Sequence, residues 1–288
     1  MNSPQSVTSS SGAVGIVQPG QMGAAMGALL DGALWVSEGR STATVERASA
    51  AGMVDCGSLA SLVEQSDMIV SVCPPHAALT VATEVSRLGF DRLYIDANAI
   101  APSTTRQIAL LFDHFVDGGI VGPPPHQPGT TRLYLSGPRA VDATAPWAES
   151  HLDAVVVDDM VGSASALKMA YAAWTKGSAA LLVNAQALAA AEGVTDALQR
   201  EWALSQPALT ERSRRVADVV GPRAWRWAGE MDEIASSFAT HDLPDGFHRG
   251  SADLYRRLSG FKDIDEVTIA ALIAQLLADP GTDAETAD

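Results

Sequence analysis

Short apolar runs alternate with helical stretches over the first half of the chain. Runs of this kind, rich in Val, Ile, Leu and Ala, are typical of strands buried on both faces of a sheet. The predicted strands are Ala13–Val17, Ala33–Val36, Met68–Val72, Leu93–Ile95, His114–Val116, Arg132–Ser136 and Ala154–Val157. The predicted helices between them are Gln21–Leu30, Thr42–Ala51, Ser58–Gln65, Ala77–Leu88 and Pro102–Phe112. This alternation predicts an α/β fold with a doubly wound, mostly parallel sheet.

The pattern changes at Gly162, after which the sequence indicates helices alone. An alanine- and leucine-rich stretch from Ser163 to Glu192 predicts one helix of about 45 Å, or two helices if Gly177 breaks it. A helix this long and apolar must be covered on nearly all sides, and we expect a second subunit to cover part of it. The predicted regions are a disordered N-terminal tail (1–12), the α/β domain (13–161), an all-α C-terminal domain for substrate and dimerisation (162–278) and an acidic tail (279–288).

Composition excludes several classes of function. The 288 residues contain 34 Asp and Glu but 19 Lys and Arg, which gives a formal net charge of −15. This charge argues against binding to nucleic acid or to an anionic membrane. The two cysteines, Cys56 and Cys73, lack the spacing of a metal site or a disulfide framework. The chain shows no membrane-spanning segment and no signal peptide, so we expect a cytoplasmic protein with a small-molecule substrate and no metal.

The segment after the first predicted strand has the pattern of a phosphate-binding turn. A Pro-Gly turn is followed by small residues that let a helix pack closely on a sheet, and the N–H groups of such a helix would face the pyrophosphate of a dinucleotide. The usual G-x-G-x-x-G motif would place glycine where this chain has Gln18. The alternative is the first strand and helix of another α/β domain. The predicted cofactor-binding residues here are Gln18, Pro19, Gly20, Gln21 and Met22.

The end of the second predicted strand indicates which cofactor is bound, because the adenosine ribose lies there in dinucleotide-binding domains. Arg40 and Ser41 are predicted to clamp the 2′-phosphate of NADP. Glu38 is the competing acidic residue, which would bind the free 2′-hydroxyl of NAD. We therefore favour NADP, with NAD as the alternative and a solvated turn as the non-functional interpretation.

Later strand ends carry further candidates. Cys73 and Pro74 stop an apolar strand beside the expected cofactor groove, and the thiol is interpreted as packing rather than as a nucleophile. Asn98 offers an amide to the cofactor or the substrate, although Asn also caps helices. The glycine- and proline-rich segment that includes Gly122 and Pro123 is predicted to be an irregular loop that contacts the substrate.

Taken in order, these motifs resemble the β-hydroxyacid dehydrogenase superfamily, which includes 6-phosphogluconate and 3-hydroxyisobutyrate dehydrogenases. The matching segments are the turn at residues 20–23, the strand end with two prolines at residues 74–75, and residues 96–102, 121–123 and 162–168. The resemblance implies a Rossmann-type sheet followed by an all-α C-terminal domain. It also implies that Lys168, on the long helix, is the acid/base residue. The alternative is that the Lys168 side chain only extends to solvent.

Departures from the family pattern fall at substrate-selecting positions. Ala172 stands where well-studied members have Asn, and Thr175 where phosphogluconate dehydrogenases have Glu. Tyr171, Lys176 and Glu230 are the predicted substrate residues that this chain offers instead. The pattern indicates a less characterised branch with a phosphogluconate-dehydrogenase-like C-terminal domain.

Three functions are consistent with these observations. The first is an NAD(P)-dependent oxidoreductase, with NADP favoured, that acts on a small β-hydroxyacid or a related hydroxy or carbonyl compound. The second is an imine reductase, against which Lys168 counts because imine-reducing relatives lack that lysine. The third is a regulatory protein that binds the cofactor without turnover. From the apolar long helix and the family resemblance we also expect a homodimer that forms through the helical domain.

Overall fold

The computed structural model describes residues 12–262, 264 and 266–278. The acidic tail and all but the last residue of the predicted N-terminal tail lie outside the described residues. The chain divides into two compact units, Met1–Lys168 and Met169–Asp288.

The first unit is built on an eight-stranded sheet of order β3-β2-β1-β4-β5-β6-β7-β8. Its strands are β1 (Val14–Ile16), β2 (Leu34–Trp35), β3 (Val54–Asp55), β4 (Met68–Ser71), β5 (Leu93–Asp96), β6 (Phe115–Val121), β7 (Thr131–Ser136) and β8 (Leu152–Asp158). Neighbouring strands are parallel except for β6 and β7, which are antiparallel. The predicted doubly wound, mostly parallel sheet is confirmed.

Helices cover both faces of the sheet. Those that lie between strands are α1 (Gln21–Gly27), α2 (Thr42–Ala50), α3 (Leu59–Gln65), α4 (Ala78–Arg87) and α5 (Pro102–Ala109), and α6 (Ser163–Ala191) begins after the last strand. Side chains along a strand alternate between two apolar cores, as the period of two requires. On β5, for example, Leu93 and Ile95 join one core and Tyr94 joins the other.

The prediction for the segment after Val116 is wrong in part. The strand predicted at His114–Val116 is present, but it continues through Val121 as β6, and the predicted irregular loop begins only at Gly122. Gly118 and Gly119 serve close packing here, because a Cβ at Gly119 would lie 2.6 Å from the carbonyl oxygen of Ala164 on α6. The short strand β3 has no counterpart in the predictions, since it has only two residues, Val54 and Asp55, and both are exposed.

The second unit is helical. After α6, it contains α7 (Thr195–Ser205), α8 (Pro207–Val220), α9 (Ala224–Ala239), α10 (Gly246–Arg257) and α11 (Ile269–Leu277). Helix α6 is unbroken over 29 residues, so the alternative of two helices is wrong. Gly177 lies inside it, where a Cβ would be 4.0 Å from Nδ1 of His248 on α10. In the described part of the chain, no helix is long and apolar enough to span a membrane.

Candidate active site

The predicted residues of the first unit collect at one edge of the sheet. Strands β1, β2, β4, β5 and β6 are parallel, so their carboxyl ends share that edge. Strands β1 and β4 lie side by side. The next strand after β1 is β2, on one side of this pair, and the next strand after β4 is β5, on the other side. Such a switch point opens a crevice where α/β proteins bind ligands. Each of these strands is followed by a candidate residue: Gln18, Arg40, Cys73, Asn98 and Gly122.

The turn after β1 uses the main chain of Gln18. Its carbonyl oxygen accepts a hydrogen bond from the N–H of Gly20 at 2.8 Å. A Cβ at Gly23 would lie 2.7 Å from the same oxygen, so glycine is required there for helix α1 to pack against the turn. A Cβ at Gly20 would meet no atom within 4 Å. Close packing explains Gly23, whereas the space beside Gly20 is open to a ligand.

Arg40 comes after a tight turn at the end of β2. Its N–H donates to the carbonyl of Ser37 at 3.0 Å, and Gly39 supplies the positive φ of 71° that this turn needs. The Nε of Arg40 is buried and has no hydrogen-bond partner among the described residues. Ser41 begins helix α2, with its hydroxyl 3.1 Å from that of Thr44.

Asn98 joins the ends of two strands. Its Oδ1 accepts a hydrogen bond from the N–H of Cys73 at 2.6 Å, and its Nδ2 donates to Ser71 Oγ at 3.0 Å and to Asp96 Oδ2 at 2.9 Å. The side chain is 2% exposed. Asn98 therefore orders the loop at Cys73 and Pro74, whether or not it also contacts a ligand.

Burial raises the pKa of two side chains at this edge of the sheet. It raises the pKa of the Asp96 carboxyl to about 7, although hydrogen bonds from Asn98 favour the ion. It also raises the pKa of the Cys73 thiol to about 12. A thiol with that pKa stays protonated at neutral pH, which is consistent with the interpretation of Cys73 as a packing group.

Gly122 and Pro123 form the turn from β6 into β7. Gly122 has a φ of 124°, and a Cβ there would lie 2.3 Å from the carbonyl oxygen of Thr130. The carbonyl of Pro123 accepts a hydrogen bond from the hydroxyl of Thr131 at 2.5 Å. Glycine is thus required by the turn itself, independently of any ligand.

Lys168 is half-buried near the start of α6 and extends its amine to β6. Its Nζ donates a hydrogen bond to the carbonyl oxygen of Ile120, the residue before the end of that strand. The amine therefore lies at the carboxyl edge of the sheet. A positioned amine that can hold or release a proton is the kind of group that acid/base catalysis uses.

Two further residues at this edge of the sheet are not predicted from the sequence. Arg47 of α2 extends its Nη1 to within 3.5 Å of the carbonyl oxygen of Pro19, which brings a positive charge to the turn after β1. Asp117 of β6 is fully buried and binds the start of α6. Both contacts join residues that are distant in the sequence, and no local pattern predicts them.

The remaining candidates lie in the second unit. Lys176 and Glu230 form a largely buried ion pair, and the Lys176 amine lies 5.6 Å from the centre of the Trp227 ring. The hydroxyl of Tyr255 donates to the carbonyl of Lys176 at 2.6 Å. Tyr171 is 50% exposed. The structure thus brings Lys176 and Glu230 together and leaves Tyr171 at the surface of this unit.

Comparisons with known proteins show where else this fold occurs. It is shared with solved structures described as 3-hydroxyisobutyrate dehydrogenases. Residues 189–258 match a family model described as a domain of unknown function, DUF1932. An uncharacterized 28.5 kDa protein of Methanothermus fervidus is 29% identical over 163 residues, which span 56% of this chain and 63% of that relative. The chain thus matches less than two thirds of that relative's length.

Solved structures match over nearly the whole chain. A conserved protein of unknown function, described as structurally similar to 3-hydroxyacid dehydrogenases, is 24% identical and has a TM-score of 0.64, covering 86% of this chain and 97% of its own. The 3-hydroxyisobutyrate dehydrogenase of Mycobacterium tuberculosis, solved with L-serine, is 16% identical with a TM-score of 0.68 and covers 93% and 99%. A reductive aminase from Aspergillus terreus, solved with NADPH, is 17% identical with a TM-score of 0.54 and covers 92% and 99%. The resemblance to β-hydroxyacid dehydrogenases is confirmed at the level of the fold.

Proposed function

We propose that this protein is a nicotinamide-dependent oxidoreductase that uses NADP and acts on a small β-hydroxyacid or a related hydroxy or carbonyl compound. The observation that carries the proposal is the position of Lys168. Its amine is fixed on the Ile120 carbonyl at the carboxyl edge of the sheet, where this kind of fold binds ligands.

The residues around the switch point fit a dinucleotide. The open space beside Gly20 would admit a pyrophosphate close to the main chain of the turn 18–22. The buried Nε of Arg40 lacks a partner among the described residues, and a 2′-phosphate would supply one. Ser41 and Arg47, at the start of α2 and within it, are further donors. This donor set favours NADP over NAD.

The chemistry divides between the cofactor and the protein. A bound nicotinamide would supply or accept the hydride, and the protein must move the proton of the substrate oxygen. Lys168 would donate a proton to a carbonyl oxygen during reduction and accept one from a hydroxyl during oxidation. Asn98 would hold the loop 73–74 in place beside the reacting groups.

Replacement of Lys168 tests this role. In Lys168→Ala we expect kcat to fall by about 10²- to 10⁴-fold, because general acid/base catalysis is lost, while the Kd for NADPH stays within about twofold. Lys262→Ala, a change at an exposed lysine of the second unit, is the matched control and should retain full activity. Unchanged turnover in Lys168→Ala would refute the assignment.

Reduction of imines is the second candidate function. It is favoured by the similarity to the reductive aminase, whereas the presence of a lysine at position 168 argues against it. A panel that contains both imines and carbonyl compounds separates the two functions.

We also propose a homodimer that forms through α6. Trp174, Leu181 and Leu188 are 72%, 69% and 65% exposed and follow one another at intervals of seven residues. This spacing places them on one face of the helix, as in helix pairs that pack side by side. A second copy of the chain would cover that face.

A further inference from the structure

We propose that Asp117 is a positioning residue whose buried carboxylate holds the first turn of α6 on β6 and thereby fixes Lys168 at the edge of the sheet. The inference rests on the proposed role of Lys168. All of the contacts that carry it lie within the first unit.

The Asp117 carboxylate accepts four hydrogen bonds. Its Oδ2 accepts from Ser136 Oγ, from the N–H of Gly162 and from the N–H of Ser165, each at 3.0 Å. Its Oδ1 accepts from Ser165 Oγ at 2.5 Å. The residue is 0% exposed. A buried carboxylate is costly unless its oxygens are satisfied, and here four donors converge on it.

These donors include the free N–H groups at the start of the helix. The first turn of an α-helix leaves its N–H groups without partners inside the helix, and negative charge is favoured there. Asp117 binds two of these groups, and Ser136 Oγ accepts from a third, the N–H of Ala164, at 3.0 Å. Thr105 Oγ1, 2.8 Å from Ser165 Oγ, ties the same turn to α5. The start of α6 is therefore capped by side chains of the sheet instead of by its own sequence.

The same short segment of β6 also holds Lys168. Ile120, whose carbonyl binds the Lys168 amine, lies three residues after Asp117 on that strand. Between them, Gly119 lets the helix approach, since a Cβ there would lie 3.2 Å from Cβ of Lys168. Lys168 lies one turn after Ser165, which Asp117 binds twice. Loss of the carboxylate would free that turn to rotate and would release the amine from its position.

Amine reactivity tests the proposal without turnover. The chain has three lysines, Lys168, Lys176 and Lys262, so trace acetylation of the full-length protein followed by mass spectrometry reports each amine separately. In Asp117→Asn, which keeps the size but loses the charge, we expect the acetylation rate of Lys168 to rise about tenfold as its fixed hydrogen bond is lost. The rate at exposed Lys262 should stay the same. Asp113→Asn, at an exposed aspartate four residues earlier, should change neither rate.

Kinetics supply the second measurement. We expect kcat of Asp117→Asn to fall about 10- to 100-fold, as for a misplaced catalytic group, while the KM for NADPH stays within about twofold. Ser165→Ala removes one of the four hydrogen bonds to the Asp117 carboxylate, together with the contact to Thr105. It should shift the Lys168 acetylation rate and kcat in the same directions by roughly two- to fivefold. This variant decides the question if Asp117→Asn does not fold.

The outcomes separate this inference from the proposed function. A folded Asp117→Asn, or Ser165→Ala, with a lower melting temperature but an unchanged Lys168 acetylation rate and kcat would show a purely structural role and overturn the inference. If Lys168 acetylation rises in Asp117→Asn although Lys168→Ala retains turnover, the positioning holds and the proposed function fails.

Discussion

Asp96 has a buried carboxyl group at the carboxyl end of β5. It is 1% exposed and lies opposite Asp117 in the register of the sheet. Burial raises its pKa to about 7, and the charge of Asp117 acts in the same direction. A carboxyl group in an unfolded chain has a pKa of about 4. The native protein therefore holds a proton on Asp96 over a pH range in which the unfolded chain has already released it.

This difference predicts how stability depends on pH. Below about pH 4, Asp96 makes its full contribution to the free energy of unfolding. This contribution is lost as the pH rises to about 7, because ionisation of Asp96 lowers the free energy of the unfolded state while the native state stays protonated. Relative to Asp96→Asn, the wild-type free energy of unfolding should fall by up to about 4 kcal/mol across that window. Urea unfolding from pH 4 to pH 8 measures it. The exposed control Asp91→Asn should show no such trend, and parallel curves for wild type and Asp96→Asn would contradict the prediction.

At single positions, the sequence identifies residues at the ends of strands better than residues that face a distant element. Arg40 and Asn98 are identifiable because each comes shortly after an apolar run. The role of Asp117 cannot be identified in this way, since its partner Ser165 is 48 residues away and only the folded protein brings the two together. Gln18 looks like a defect in the sequence motif, yet the turn uses its carbonyl, which every residue type supplies.

At the scale of elements, apolar runs predict the parallel strands because both faces of the sheet are buried. The prediction fails for β6, where glycines that usually indicate a loop instead make room for α6. It also fails for the exposed strand β3. The long helix α6 is predictable from its composition, because alanine and leucine favour helix so strongly that Gly177 does not interrupt it.

At the scale of the whole molecule, the order of elements gives the fold class, whereas the boundary between compact units depends on packing. The structure places that boundary after Lys168, inside α6. The proposed acid/base residue therefore belongs to the sheet unit, while Tyr171, Lys176 and Glu230 belong to the helical unit. Sequence motifs alone cannot divide a continuous helix in this way.

The proposed homodimer is also tested at this scale. We expect light scattering to give twice the mass of the 30.0 kDa chain. Leu181→Glu places a charge on the exposed face of α6 and should shift the protein to monomer, because an unpaired buried charge is costly at an interface. Leu204→Glu is the control, since Leu204 is 82% exposed on α7 and should leave the dimer intact. A monomeric wild type would refute the dimer.

Turnover by the wild-type protein tests the proposed function most directly. Hydroxyacids, aldehydes, ketones and imines would each be assayed with NADPH or NADP and with NADH or NAD, following the nicotinamide absorbance. We expect turnover of a hydroxyacid or carbonyl substrate, with kcat/KM higher for the phosphorylated cofactor, because in the proposed site Arg40 would bind the 2′-phosphate. Preference for NADH would contradict the role of Arg40, and turnover of imines alone, or of no compound, would contradict the proposed reaction.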